Sequence, residues 1–173
     1  MKMIQRIPKA FFFLFILSTA FAINANAQTK KEKEAAKAEA VKNLVEGQRY
    51  VFIAQTVLPM GGRSRQITPD FDFTVTKDTI ISYLPYFGRV YNVPLPNEGG
   101  VKFTSTDFEY TKTDAKKGGW DILIKPRDNR DIQQVRINIT ENGYAYLQVT
   151  SNNRQPISFN GYIQEKVERK KKK

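Results

Sequence analysis

Apolar and polar residues alternate with period two from Tyr50 almost to the end of the chain. Tyr50, Phe52 and Ala54 alternate with Val51, Ile53 and Gln55, and Phe71, Phe73 and Val75 with Asp70, Asp72 and Thr74. Phe108 and Tyr110 do the same against Asp107, Glu109 and Thr111. Further on, the apolar members are Trp120, Ile122 and Ile124, then Val135, Ile137 and Ile139, then Ala145, Leu147 and Val149. Ile157, Phe159, Gly161 and Ile163 close the series. Successive side chains of a strand point to opposite faces, so each run predicts a half-buried strand. With the runs at 79–84 and 101–104 added, about nine strands are expected.

Turn chemistry separates the runs. Pro59-Met60-Gly61-Gly62, Lys77-Asp78, Asp114 to Gly119, Glu141-Asn142-Gly143 and Ser151 to Arg154 fall between them. Asn142-Gly143 favours a type I′ hairpin. Arg154 is expected to pair across the barrel mouth. No helical pattern lies between strands, which excludes parallel crossover units. The fold class is therefore all-β: an antiparallel meander closed into a small barrel, with a β-sandwich as the alternative. Closure would leave no unpaired edge.

Before Gly47 the pattern differs. Thr29-Lys30-Lys31-Glu32 has capping-box spacing, and residues 30–46 are rich in Lys, Glu and Ala. Ala38, Val41, Leu44 and Val45 share one face, and Gly47 is placed as the C′ residue. This predicts one N-terminal helix within 28–47, with loose or projecting first turns and its Val41–Val45 end packed on the body.

Residues 82–97, SYLPYFGRVYNVPLPN, break the rhythm with three prolines and three tyrosines. Proline donates no ladder hydrogen bond, so a central strand is not expected through this segment. It predicts a long aromatic loop, or two short strand pieces around a kink. Tyr83, Tyr86, Phe87, Arg89 and Tyr91 would form there either an aromatic platform with one guanidinium or a hydrophobic plug. Trp120 is a further candidate for lining a ligand cavity, against a plain core position facing Ile122 and Ile124. Asp70 with Asp72, and Asp107 with Glu109, read as solvent faces of amphipathic strands rather than as acid–base or cation pairs.

The first 27 residues say where the chain goes. Lys2, Arg6 and Lys9 precede the apolar run Ala10–Ile23, and Ala25-Asn26-Ala27 supplies small residues ahead of Gln28. That is the pattern of a secretory signal cleaved after Ala27. The apolar run is shorter than the ~20 residues of a membrane-spanning helix, so no transmembrane segment is expected in the mature chain. Export to the periplasm or cell envelope follows. The expected organisation is a signal peptide at 1–27, the helix at 28–47, the barrel at 48–165 and a basic tail at 166–173.

Composition then narrows the chemistry. The chain contains neither cysteine nor histidine. Disulfide stapling, a lipoprotein anchor, Ser-His-Asp and Cys-His catalysis and Cys/His zinc sites are all excluded. No enzyme motif, cofactor or metal site is expected. Of the net charge of +11, the signal carries three and Arg169–Lys173 five, so only three remain on residues 28–168. Arg169, Lys170, Lys171, Lys172 and Lys173 form a tail that is either simply solvated or contacts an anionic envelope surface. No nucleic-acid motif is present.

The segments SYLPYFGRVY (82–91), GGVKFTSTDFEY (99–110), KKGGWDILIKP (116–126) and GYAYLQVTSNNRQPISFNGYI (143–163) resemble a family of exported Bacteroidota proteins known only as a domain of unknown function. The resemblance covers roughly residues 35–165, and its most specific part is VTSNNRQPISFNG. It implies a lipocalin-like (calycin-type) barrel with an N-terminal helix and carries no catalytic residues. Two functions stay open. One is a non-catalytic module binding a small apolar or glycan-type ligand. The other is a structural or interaction protein of the envelope with a closed core and a basic tail.

Overall fold

A computed structural model describes residues 30–91, 100–116 and 118–166. The expected signal peptide (1–27), the Thr29 cap, residues 92–97 of the aromatic segment and the tail Arg169–Lys173 lie outside the described residues. The elements are α1 (Lys30–Glu46), β1 (Tyr50–Pro59), β2 (Arg65–Gln66), β3 (Asp72–Val75), β4 (Ile80–Pro85) and β5 (Gly100–Ser105). They continue with β6 (Phe108–Asp114), β7 (Trp120–Pro126), β8 (Ile132–Ile139), β9 (Tyr144–Ser151) and β10 (Ile157–Gln164).

The ten strands form one antiparallel sheet, curled into a nearly closed barrel, in the order β5-β4-β3-β1-β10-β9-β8-β7-β6, with β2 on β1. Along β3-β4-β5 and along β6-β7-β8-β9-β10, neighbours in sequence are neighbours in the sheet, as a meander requires. The first and last long strands pair along most of their length, from Val51–Gln164 to Pro59–Ile157. A bulge at Gln55 interrupts that ladder and moves the inward parity of β1 from Ala54 to Val57. Opposite Ala54 stands Gly161, where a Cβ would lie 2.0 Å from the Ile53 carbonyl oxygen. Gly161 is therefore what lets the two strands approach.

The alternating apolar residues point inward as one contiguous cluster. Tyr50, Phe52, Phe73, Leu84, Ile122, Ile124, Ile137, Leu147, Ile157 and Phe159 are fully buried. Each such side chain contributes about 1.5–3 kcal/mol of transfer free energy. Across the interior the Tyr50 and Tyr110 hydroxyls lie 3.4 Å apart. Burial pushes the Tyr50 phenol well up and Tyr110 up as well, so both stay neutral. From the helix, Val41 and Val45 join the cluster, and Val41 packs against the β8–β9 turn at Gly143. The Val41–Val45 end of the helix thus packs where that turn lies.

Four local expectations are corrected. Gln48, not Gly47, takes the left-handed position after the helix, with φ +49°. Its N–H donates to Val45 O at 3.2 Å, and Arg49 N–H to Leu44 O at 3.1 Å. These are the two bonds of a Schellman cap, which places Gly47 one residue earlier. At Asn142-Gly143 only the glycine has positive φ, and Gly143 N–H donates to Thr140 O at 2.9 Å. The hairpin is a type I turn followed by a glycine bulge, not type I′. Strand β4 runs on through Ser82, Tyr83 and Leu84 to Pro85, so the aromatic loop begins only at Tyr86. Proline is tolerated there because it occupies the last ladder position, opposite Gly100. Finally, the barrel keeps two edges: β5 and β6 follow one another in sequence but stand at opposite ends of the strand order.

Side chains hold the seam where the ladder is missing. Asp128, in the β7–β8 loop, accepts Ser105 O–H at 2.6 Å, Thr106 N–H at 2.8 Å and Asp107 N–H at 3.2 Å. Arg127 N–H returns a bond to Asp107 O at 2.8 Å. The corner between β5 and β6 is thereby tied to the opposite loop. The Ser105 bond first, then the Thr106 N–H, hold the Asp128 carboxyl below the usual carboxylate range.

Two predictions follow from these ties. Replacing Gln48 with Gly relieves a left-handed non-glycine residue and should stabilise the fold by about 0.5–1 kcal/mol, read as a rise in Tm. A fall in Tm would show that the Gln48 side chain makes a compensating contact. Asp128→Asn should lower Tm at neutral pH, because the neutral amide can still accept the Thr106 and Asp107 N–H groups but loses the charge that strengthens those bonds. A depressed native pKa stabilises above the unfolded-state value and is lost as pH falls through the native one. The Tm gap between the two proteins should thus be constant at neutral pH and close below about pH 4. A gap that persists in strong acid would remove the charge from the explanation.

Candidate functional site: an arginine-lined cleft

The chemistry gathers at the strand ends away from the β8–β9 turn, where three connections meet. The loop after β4 carries Tyr86 to Tyr91. The β9–β10 connection carries Asn152 to Pro156. The β1–β2 loop carries Met60 to Ser64.

The β9–β10 connection is fixed from the β7–β8 loop. Asp131 accepts Ser151 O–H at 2.7 Å and the Asn153 side-chain amide Nδ2 at 3.1 Å on one oxygen, and Arg154 Nη2 at 2.9 Å on the other. Arg154 Nη1 reaches Gly100 O at 2.7 Å, at the start of β5. The expected pairing of Arg154 across the mouth is thus made through Asp131. The two side chains are only 19% and 25% exposed. Removing either would strand a largely desolvated charge, so the pair is costly to break even where its formation is nearly balanced. Arg154 Nε is buried without a hydrogen-bond partner among the described residues. The fork is spent on Gly100 and Asp131, and its face lies over the Tyr86 ring at 5.4 Å.

Tyr86 carries the fixation on to the next loop. Its hydroxyl donates to Arg89 O at 2.8 Å, with Gln155 O sharing the proton at 3.1 Å. Gln155 N–H donates to Arg89 O, and Tyr91 N–H to Asn153 O. Partial burial pushes the Tyr86 phenol up, against the opposing pull of the Arg154 guanidinium. A Cβ at residue 88 would lie 2.5 Å from the Tyr86 hydroxyl, so Gly88 keeps that hydroxyl in place.

The outer side of this scaffold is a cleft of about 670 Å³ lined by Pro59, Gly61, Gly62, Arg63, Arg65, Phe87, Gly88, Arg89 and Gln155. Arg65 lies over the Phe87 ring at 5.3 Å. No acidic side chain among the described residues pairs with Arg63, Arg65 or Arg89. Residues 59–67 and 85–91 contain no Asp or Glu. Three guanidiniums beside one aromatic ring suit an anionic group attached to a flat or ring-shaped body.

Of the residues singled out from sequence, the fold brings Phe87 and Arg89 into the cleft and sets Tyr86 behind them. Tyr83 points outward from β4, stacks on Phe71 at 5.8 Å and lies under the Lys102 ammonium. Tyr91 is 63% exposed on the loop beyond the cleft. Trp120 belongs to the core cluster. Sequence reading passed over Arg63 and Arg65, which sit in a segment legible only as a turn. The signal was present: two arginines follow Gly-Gly, with no acid from Leu58 to Pro69.

Among the described residues no helix is long and apolar enough to cross a membrane. A search of curated proteins finds no match. Among solved structures the chain is similar to a crystal structure of a DUF4251 family protein from Bacteroides eggerthii DSM 20697. The two are 15% identical with a TM-score of 0.56, over 76% of this chain and 91% of that one. At that identity the likeness bears on the fold alone. A family model described as a domain of unknown function (DUF4251), a description that names no catalytic activity, matches residues 32–163. That match spans most of the chain, and the protein belongs to the DUF4251 family.

Proposed function

We propose that the protein is an exported, non-catalytic binding module that holds an anionic partner on its outer surface, in the cleft of Arg63, Arg65, Phe87 and Arg89. The observation that carries this reading is three guanidiniums without carboxylate partners around one aromatic-floored cleft. Unpaired cations at a concave site attract and orient an anion. Binding of an apolar ligand inside the barrel is less favoured, because the inward face is occupied by its own aromatic and aliphatic cluster. Export rests on the signal pattern of residues 1–27. Absence of catalysis rests on the lack of His and Cys and of any converging acid–base pair among the candidate residues.

Titration with inorganic phosphate, followed by two-dimensional NMR, tests the cleft. Shifts are expected at residues 59–65, 86–91 and 155, weakening with added salt. They should vanish in R63Q/R65Q/R89Q, whose Tm should match the parent. Shifts spread evenly over the lysines, or unchanged in the triple variant, would sink the reading. A co-purified apolar adduct that moves the Trp120 indole and the core methyls would replace it with binding in the interior.

A further inference from the structure

We infer that the partner of this cleft is an anionic lipid surface, onto which the loop end of the barrel docks; the inference rests on the reading of the cleft as an anion site. Its independent support is where exposed apolar side chains fall. Met60 is 64% exposed, Tyr91 63%, Val90 45% and Phe87 37%. All four lie on the two loops that carry Arg63 and Arg89, the first of which leads into Arg65. The other large exposed apolar residues among those described are Ile81 and Tyr83 on the outer face of β4, and Tyr144. A soluble anion or an acidic polysaccharide accounts for the arginines. It leaves Met60 and Val90 unexplained, since both expose aliphatic surface to water with no sugar-stacking ring.

A bilayer interface uses both kinds of residue at once. Guanidiniums meet lipid phosphates, while methionine, valine and aromatic side chains enter the headgroup–acyl boundary. Half of this surface is held in place: Tyr86, Gln155 and Arg154 tie the post-β4 loop to the barrel. Phe87, Arg89, Val90 and Tyr91 are thus presented without a large ordering cost on binding.

Co-sedimentation of the purified protein with phosphatidylglycerol-rich vesicles and with phosphatidylcholine vesicles tests the inference. Binding is expected on the anionic vesicles only, and to fall about fivefold for each of Arg63, Arg65 and Arg89 changed to Gln. M60S/V90S/Y91S should weaken vesicle binding about tenfold or more while leaving the phosphate-induced NMR shifts intact. Deletion of Arg169–Lys173 separates the tail from the cleft. Binding that disappears with the tail and survives R63Q/R65Q/R89Q overturns the inference. So does binding of phosphate in solution without binding of vesicles, and in that case the anion cleft still stands. Absence of both signals overturns the two together.

Discussion

The five-residue loop Arg127–Asp131 holds the barrel together where the sheet does not. Strands β5 and β6 are the two free edges, and no ladder joins them. Strand β5 pairs with β4 on one side only. Its last residue, Ser105, is bound by Asp128, and its first, Gly100, by Arg154, which is held in turn by Asp131. Both ends of an edge strand are therefore fastened to one loop through two carboxylates three residues apart. Asn129 makes this possible by accepting the N–H groups of Asp131 and Ile132, at 2.9 and 3.0 Å, which turns the chain back into β8. Hydrogen bonds to a charged group are worth about 1.5–3 kcal/mol where they are shielded from water. Asp131 and Arg154 are shielded, whereas Asp128 is exposed. The two clasps are unequal, and the Asp131 end is the stronger.

The same clasp positions the cleft. Arg154 is locked by Asp131, and Tyr86 lies against its guanidinium. The Tyr86 hydroxyl then holds Arg89 and Gln155 by their carbonyls. Two populations of arginine result. Arg154 spends its donors inside the protein, and its charge is answered by Asp131. Arg65 is placed by its pairing with Val57 and by the Phe87 ring, Arg89 by its backbone bonds to Tyr86 and Gln155, and these two with Arg63 line the cleft without a carboxylate partner among the described residues. A net charge of only +3 over residues 28–168 hides this local excess, because acids elsewhere on the barrel balance it.

Period two made the strands legible, and the inward members of β1, β7, β8, β9 and β10 fall on the positions that the pattern names. The meander was legible too, because short turns leave no room for crossovers. The closing of the sheet was harder to see. Alternation tells which residues face inward but not which edges meet. The seam depends on Asp128 reaching Ser105, 23 positions back along the chain. The left-handed residue at Gln48 was misplaced by one because glycine is the usual occupant, and nothing in the composition marks a glutamine for that role. At the site, the aromatic loop stood out by its prolines and tyrosines. Arg63 and Arg65 did not, since their meeting with Phe87 is a product of tertiary structure.

The segments that carry the family resemblance include Ser151, Asn153 and Arg154, and the fold shows what these residues do together. All three donate to Asp131, and Arg154 also bonds Gly100. The most specific stretch of the sequence is thus a structural clasp. It explains why the motif has no recognisable chemistry: its polar groups face one another, and none of its donors to Asp131 is spent on a ligand. Phe87 and Arg89 lie within a resembling segment, but Arg63 and Arg65 stand outside all of them. The arginines of the cleft come from outside the clasp, Arg63 and Arg65 from the β1–β2 connection and the start of β2 and Arg89 from the loop after β4, so the clasp fixes the frame while other residues carry the charge.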